Sequence, residues 1–304
     1  MLFSVVWRLN GPPYQPRESN SLSLGKKRFE AGKFNLAYRS TRRVLALNPN
    51  NGKALELKAA LGLIGFPKTA SPLKQPLLEY KVLDQAFSPS PYLDLAGAEL
   101  LLSQGQSVRA LALLQESTLK YPSIPHNWFN LGIAQRAVGD QSGAIQSLLK
   151  ALELLPQKRY FAALGDTFFF NGDWLSALEN YSRVIANEKW ELSSRFGYLR
   201  SLLFLGQYRN AISFAKDLVT ILTNSARIPQ KENNKAKLII NDSKYDVLTD
   251  LSRIELIEYT EKLINISELL SNNNSISFDS LSIDSRIRWR PALQFDFARL
   301  PKQD

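Results

Sequence analysis

Apolar and small residues between Pro125 and Gln157 recur with the spacing of an α-helix and fall into two groups. Gly139 lies between the groups, where a tight turn favours a residue without a side chain. Pro156 follows the second group and ends it. The stretch therefore predicts two short helices joined by a turn. Its patterned positions are Trp128, Leu131, Gly132, Ala144, Leu148 and Ala151.

The same pattern returns along the chain at a nearly constant interval. Successive units begin at residues 91, 125, 158 and 192, so they are separated by 34, 33 and 34 residues. An alanine stands at the same place in each unit: Ala110, Ala144, Ala177 and Ala211. A helix pair of this size cannot bury its apolar face alone, so the period predicts stacked helix pairs.

This pattern closely resembles the tetratricopeptide repeat, in which Trp, Leu-Gly, Ala, Ala and Pro stand at fixed offsets over about 34 residues. The resemblance implies an all-α fold, a right-handed superhelical solenoid of five to six helix pairs. The first helix of each pair would line a concave face. A C-terminal capping helix and a tail would follow the repeats.

The boundaries follow from where the pattern holds or fails. Residues 18–51 match in Leu24, Gly25 and Gly32, although Ser21 stands where the first aromatic residue is expected. Residues 52–90 are degenerate, and prolines between helices at 52–65 and 77–87 indicate an expanded loop; an insertion between two arrays is the alternative. The predicted segments are an irregular N-terminal segment 1–17, units 18–51, 52–90, 91–124, 125–157, 158–191 and 192–225, a linker 226–243, a capping helix 244–271 and a tail 272–304.

In the resembled family, four slots of each first helix usually point into the concave groove. Their lining here mixes aromatic, aliphatic and basic residues, which favours an extended or helical peptide partner with apolar anchors and acidic character. The competing interpretation is that several of them simply pack against neighbouring helices. The predicted groove residues are Leu22, Lys26, Phe29, Tyr92, Leu95, Glu99, Leu102, His126, Phe129, Ile133, Arg136, Arg159, Asp166, Phe169, Phe196, Arg200 and Leu203.

One class of partner is not expected. Family members that bind chaperone tails hold a terminal carboxylate with a clamp of Lys and Asn side chains. Leu22 and Lys26 occupy the slots where the Lys and the Asn of the first repeat would stand.

The formal net charge of +10 is concentrated in the N-terminal third. Residues 1–90 contain 14 Lys and Arg against 5 Asp and Glu, whereas the numbers are 12 and 11 in 91–225 and 12 and 12 in 226–304. A positive patch would attract acidic protein, nucleic acid or anionic lipid, and the alternative is a solvated helical face. No aromatic residues are interleaved in a stacking pattern. The basic cluster comprises Lys26, Lys27, Arg28, Lys33, Arg39, Arg42 and Arg43.

Neither a catalytic centre nor a cofactor or metal site is predicted. The chain has no cysteine, which excludes disulfides and thiolate metal sites. The single histidine, His126, begins a helix beside Pro125 and is expected to be a surface or groove residue. Asp166 and Asp173 show no paired carboxylate, and the glycines fit repeat turns or close helix packing rather than a phosphate loop.

The two ends of the chain carry weaker signals. No apolar run approaches the roughly 18–20 residues that span a bilayer, and residues 1–11 do not resemble a signal peptide. A soluble cytoplasmic protein is therefore expected, unless the true start lies upstream and adds a signal. The tail 275–304, around Trp289, is disordered, folds back onto the solenoid, or docks a partner.

Taken with the resemblance, these features favour a non-enzymatic adaptor or scaffold that binds a protein segment in a concave groove. Two alternatives stay open. One is a factor that associates with nucleic acid or an anionic surface through the basic N-terminal repeats. The other is an accessory subunit of a multi-protein enzyme or secretion assembly.

Overall fold

The computed structural model describes residues 16–66, 75–87, 89–186, 192–224 and 253–271. Every regular element in these ranges is an α-helix, which confirms the predicted all-α fold of helix pairs. The helices are α1 (Pro16–Glu30), α2 (Phe34–Leu47), α3 (Gly52–Leu63), α4 (Pro76–Phe87), α5 (Pro91–Ser103), α6 (Ser107–Lys120), α7 (Pro125–Ala137), α8 (Gln141–Leu154), α9 (Lys158–Phe170), α10 (Trp174–Ile185), α11 (Leu192–Phe204), α12 (Tyr208–Thr223) and α13 (Arg253–Ser271). None of them is long and apolar enough to cross a membrane.

The chain divides into two compact units, residues 1–156 and 157–304. In the first unit, each helix hairpin packs against the next, and the first helices α3, α5 and α7 contact one another in series. In the second unit, α9 and α10 form a hairpin, α11 packs on both, and α12 and α13 follow. Both units are therefore built from stacked helix pairs, with the core between neighbouring pairs.

Most hairpins turn at a glycine with positive φ, at intervals of 33 or 34 residues except for the 40 residues from Gly65 to Gly105. These glycines are Gly32, Gly65, Gly105, Gly139, Gly172 and Gly206. At Gly139 the φ angle is 93°, and the amide of Asp140 donates to the carbonyl of Gln135 at 2.9 Å, which closes α7. The Asp140 carboxylate then accepts from the amide of Gly143 at 2.8 Å and caps α8. A few residues thus end one helix and begin the next.

The degenerate unit still supplies a helix pair. α4 packs against α3 and α5, and the Tyr80 ring covers Gly97 so closely that an added Cβ there would lie 2.6 Å from the ring. Gly97 therefore lets the ring of the preceding helix pack directly on the backbone of α5. No residue of α4 is fully buried, so this helix contributes less to the core than its neighbours.

The C-terminal helix α13 packs along α12 and completes the core of the second unit. Its side chains Leu263 and Ile264 are buried in the cluster that contains Leu218 and Leu222. Such packing is what a capping helix would provide. The predicted linker, the tail and the part of the predicted capping helix before Arg253 lie outside the described residues, as do residues 1–15.

A carboxylate in the first unit gives the fold a specific pH dependence. Burial, and then the neighbouring Asp84, raise the pKa of Asp94 from 3.8 to about 6. Because the folded state holds this proton more tightly than the unfolded chain, the free energy of unfolding falls as pH rises from about 4 to about 6. Above about pH 6 the cost of burying the ionised Asp94 carboxylate is fully present.

Replacing Asp94 by asparagine is therefore expected to stabilise the fold at pH 7.5 by about 1 kcal/mol. The full shift corresponds to roughly 3 kcal/mol, reduced because the side chain is partly exposed and because α5 begins nearby and favours a negative charge. Urea unfolding of Asp94→Asn and wild type at pH 4 and pH 7.5 tests this. Equal differences at the two pH values would contradict it.

Candidate functional site

Several groove residues predicted from the first four repeats converge in the first unit. The Phe29 ring lies 5.6 Å from that of Tyr92, Phe34 lies 5.5 Å from His126, and His126 stacks on Phe129 at 5.1 Å between ring centroids. All five are buried. The contact between α1 and α7 brings the first repeat back onto the fourth. Four predicted groove residues, Phe29, Tyr92, His126 and Phe129, therefore form a closed aromatic core together with Phe34.

His126 is central to this core, although a surface or groove position was expected for it. Its side chain is 1% exposed, and its Nε2 lies 2.6 Å from Oε1 of Glu99. The amide of Asn130 donates to the same carboxylate oxygen at 3.0 Å. Phe34 of the first repeat covers the imidazole. The sequence pattern within one repeat does not predict this contact.

The other predicted groove residues divide between core and surface. In the first unit Leu95, Leu102 and Ile133 are buried, and Leu22, Lys26, Glu99 and Arg136 are partly exposed. In the second unit Phe196, Arg200 and Leu203 are buried, and Arg159, Asp166 and Phe169 are partly exposed. Many of the predicted contact residues thus hold helices together.

In the second unit, the predicted groove residues Asp166 and Arg200 make contacts with other residues of the same unit. The Tyr181 hydroxyl donates to Asp166 at 2.8 Å. The Arg200 guanidinium lies 5.3 Å from the centroid of the Phe169 ring, and its Nε donates to the carbonyl of Phe196 at 3.1 Å. The first contact joins α10 to α9, and the second joins α11 to α9.

The basic cluster of α1 and α2 is on the surface. Arg28 is held in place, because its Nη1 donates to Oγ of Ser40 at 2.7 Å. Within the described part of the chain, none of its five exposed cations forms an ion pair. They are Lys27, Lys33, Arg39, Arg42 and Arg43.

Beside these cations lies an open cleft of about 500 Å³, here called the basic cleft. It runs between the α1–α2 hairpin and the region where α7 begins and α8 ends. Leu24 and Leu36 are 44% and 39% exposed at its edge. Burial raises the pKa of the Glu30 carboxyl, which Lys26 and Lys27 partly counteract. The lining residues are Leu24, Lys27, Arg28, Glu30, Ala31, Lys33, Leu36, Pro125, Leu154 and Leu155.

The cations of this cleft were predicted from the sequence, but its leucines were not. Leu24 occupies a repeat slot that suggests packing, and Leu154 and Leu155 stand at the end of a repeat. One signal was present: Leu36, Arg39 and Arg43 recur at helical spacing on the face of α2 opposite Phe34 and Ala37. An apolar residue on a basic, exposed stripe indicates a contact surface.

A profile of the family described as tetratricopeptide repeat matches residues 95–158, which extend from α5 to the start of α9. The matched stretch contains two consecutive hairpins with the turn glycines described above. Residues 95–158 therefore form a tetratricopeptide-repeat region. In the described residues of this repeat protein, no group of three or more His, Cys, Asp or Glu side chains could hold a metal ion.

Several solved structures are similar to this chain. A thermophilic tetratricopeptide-repeat protein from Thermus thermophilus has 22% identity and a TM-score of 0.43, covering 61% of this chain and 99% of that one. PilF from Pseudomonas aeruginosa has 17% identity and a TM-score of 0.48, covering 69% and 93%. MamA from Desulfovibrio magneticus has 16% identity and a TM-score of 0.39, covering 58% and 98%. A comparison with curated proteins finds no match.

Proposed function

We propose that this repeat protein is a non-enzymatic adaptor or scaffold that binds a segment of another protein. Tetratricopeptide repeats are generally interaction modules, which supports the proposal. The observation that carries it is the basic cleft, where exposed leucines lie beside exposed lysines. A surface that combines apolar anchors with a charged rim is typical of protein recognition.

The partly exposed residues among the predicted groove positions remain part of the proposal, within each unit separately. In the first unit they are Leu22, Lys26, Glu99 and Arg136, and in the second unit Arg159, Asp166 and Phe169. Phe129 and Phe196 are unsuitable for testing it, because both are buried and a polar substitution there would damage the fold. Leu22 and Lys26 are better choices, since both are partly exposed on α1.

The adaptor function is tested by cross-linking pull-down of the tagged chain from its native cell, with nuclease added. A small set of proteins recovered at constant stoichiometry is the expected result. Recovery of no protein above the tag-only control would contradict the adaptor function. A fixed set of enzyme or secretion subunits would identify the chain as their accessory subunit.

The groove is tested in the same experiment with Leu22→Gln/Lys26→Gln. If the bound segment lies in the groove, the recovered partners should fall about tenfold. Unchanged recovery would remove the groove from the proposal and leave the adaptor function intact.

A second candidate function is association with nucleic acid or an anionic surface. The exposed cations of α1 and α2 favour it, because exposed Lys and Arg attract phosphate groups. In that case binding to an RNA oligonucleotide should weaken steeply as salt increases, and Arg39→Gln/Arg43→Gln should reduce the slope by about two. The recovered proteins would then disappear after nuclease treatment.

A further inference from the structure

We propose that the basic cleft binds an acidic segment of a partner protein that inserts aliphatic side chains. This inference rests on the proposed adaptor function and names the partner chemistry and its surface. The cleft lies outside the closed aromatic core that the predicted groove residues form in the first unit.

The floor and walls of the cleft are suited to aliphatic anchors. The cleft volume of about 500 Å³ falls within the roughly 300–1,000 Å³ typical of ligand sites. A partner that removes the exposed leucines at its edge from water would be bound more tightly, because burial of apolar surface is favourable. Six of the ten lining residues are aliphatic or proline: Leu24, Ala31, Leu36, Pro125, Leu154 and Leu155.

The charges at the cleft select an acidic partner. Among the lining residues that the structure describes, Lys27, Arg28 and Lys33 stand against a single carboxylate, Glu30. Because Arg28 is bonded to Ser40, the exposed Lys27 and Lys33 are the cations most available to pair with a partner carboxylate. Such pairs add selectivity and faster association more than raw affinity.

Further cations continue beyond the cleft along α2. Leu36 is followed on the exposed face by Arg39 and Arg43, at intervals of three and four residues. A segment anchored at Leu36 would therefore meet two further cations if it continued along this helix. The partner segment is expected to carry acidic residues on one side of its aliphatic anchors.

The lining favours protein over nucleic acid. None of the described residues that line the cleft is aromatic, so this lining offers no ring on which a base could stack. In a complex with nucleic acid, its leucines would face phosphate groups, and this contact would add no affinity. An acidic peptide matches both the leucines and the lysines.

The test begins with a random peptide library displayed on phage and selected against the full chain. Enriched peptides are expected to combine Asp or Glu with Leu, Ile, Val or Met. The most enriched peptide is then labelled, and its affinity is measured by fluorescence anisotropy for wild type and variants. Circular dichroism verifies that each variant keeps its helix content.

Leu24→Lys/Leu36→Lys is the decisive variant, because it removes two anchors while adding two positive charges. It should bind the peptide about tenfold or more weakly. A polyanion that binds by charge alone would bind this variant as well or better. The matched control is Val108→Lys/Leu119→Lys on α6, where both residues are highly exposed; it should change affinity by no more than about twofold.

Lys27→Gln/Lys33→Gln isolates the charge. It should weaken binding about fivefold and make the affinity less sensitive to salt. Unchanged binding by Leu24→Lys/Leu36→Lys, or selection of no acidic aliphatic peptide, would overturn the proposal. If a native partner is recovered by that variant as well as by wild type, the cleft is excluded while the adaptor function stands. Recovery of no partner by wild type would instead contradict the adaptor function.

Discussion

Replacing Gly132 by valine is expected to destabilise the first unit by about 3 kcal/mol. Gly132 lies where α7 crosses α8, and an added Cβ would lie 2.7 Å from Cγ of Leu148 and 3.1 Å from the carbonyl oxygen of Ala144. The Leu148 side chain can adjust, but the backbone oxygen can move only if the two helices separate. Separation would open the core around Leu148 and Ala151, both fully buried.

Thermal unfolding followed by circular dichroism measures this effect. A loss of about 3 kcal/mol corresponds to a fall in Tm of roughly 6–12 °C for a unit of this size. Gly62→Val is the matched control, because Gly62 lies in a helix but nothing stands within 4 Å of its added Cβ. Gly62→Val should change stability by no more than about 0.5 kcal/mol. Equal effects of the two substitutions would show that helix propensity, and not packing, determines the loss of stability at Gly132.

Replacing Tyr181 by alanine is expected to cost the second unit about 3–5 kcal/mol. Tyr181 lies on α10 and is 1% exposed, and its ring fills the space left by two glycines on neighbouring helices. A Cβ added at Gly165 would lie 2.9 Å from Cδ1 of Tyr181, and one added at Gly197 would contact Cζ. One ring thus packs against both α9 and α11, and its loss leaves a cavity between them.

Tyr181→Phe separates the ring from its hydroxyl. It keeps the packing and removes the hydrogen bond to Asp166, so it should cost about 1 kcal/mol. The partly exposed Asp166 can bond to water instead, which limits the penalty. Urea unfolding of both variants gives the comparison. If alanine costs no more than phenylalanine, the ring does not hold the helix pairs together.

The packing around Gly132 and Gly165 shows what local sequence information predicts well. Gly132 and Gly165 stand in the small-residue slot of their repeats, and the structure brings a bulky residue of the following helix against each of them. The turns were equally predictable at Gly139, because a positive φ and a following Asp cap are requirements of neighbouring residues alone. Helix pairing, turns and the period follow from such short-range rules.

The candidate site was less predictable, because its residues come from distant parts of the chain. Phe29 and His126 occupy slots that usually face an open groove, but both are buried where the first repeat meets the fourth. The degenerate repeat between them departs from the regular period. Periodicity within one repeat carries no information on that long-range contact.

The sequence by itself determined an all-α chain of tetratricopeptide helix pairs, together with its turn glycines and its basic N-terminal cluster. These features depend on spacing and charge within a few tens of residues. Tertiary structure alone decided that aromatic groove candidates become core and that Leu24, Leu36, Leu154 and Leu155 line one cleft. The physical reason is that burial depends on which distant helices pack together, and the first and fourth repeats meet here only after the chain has folded.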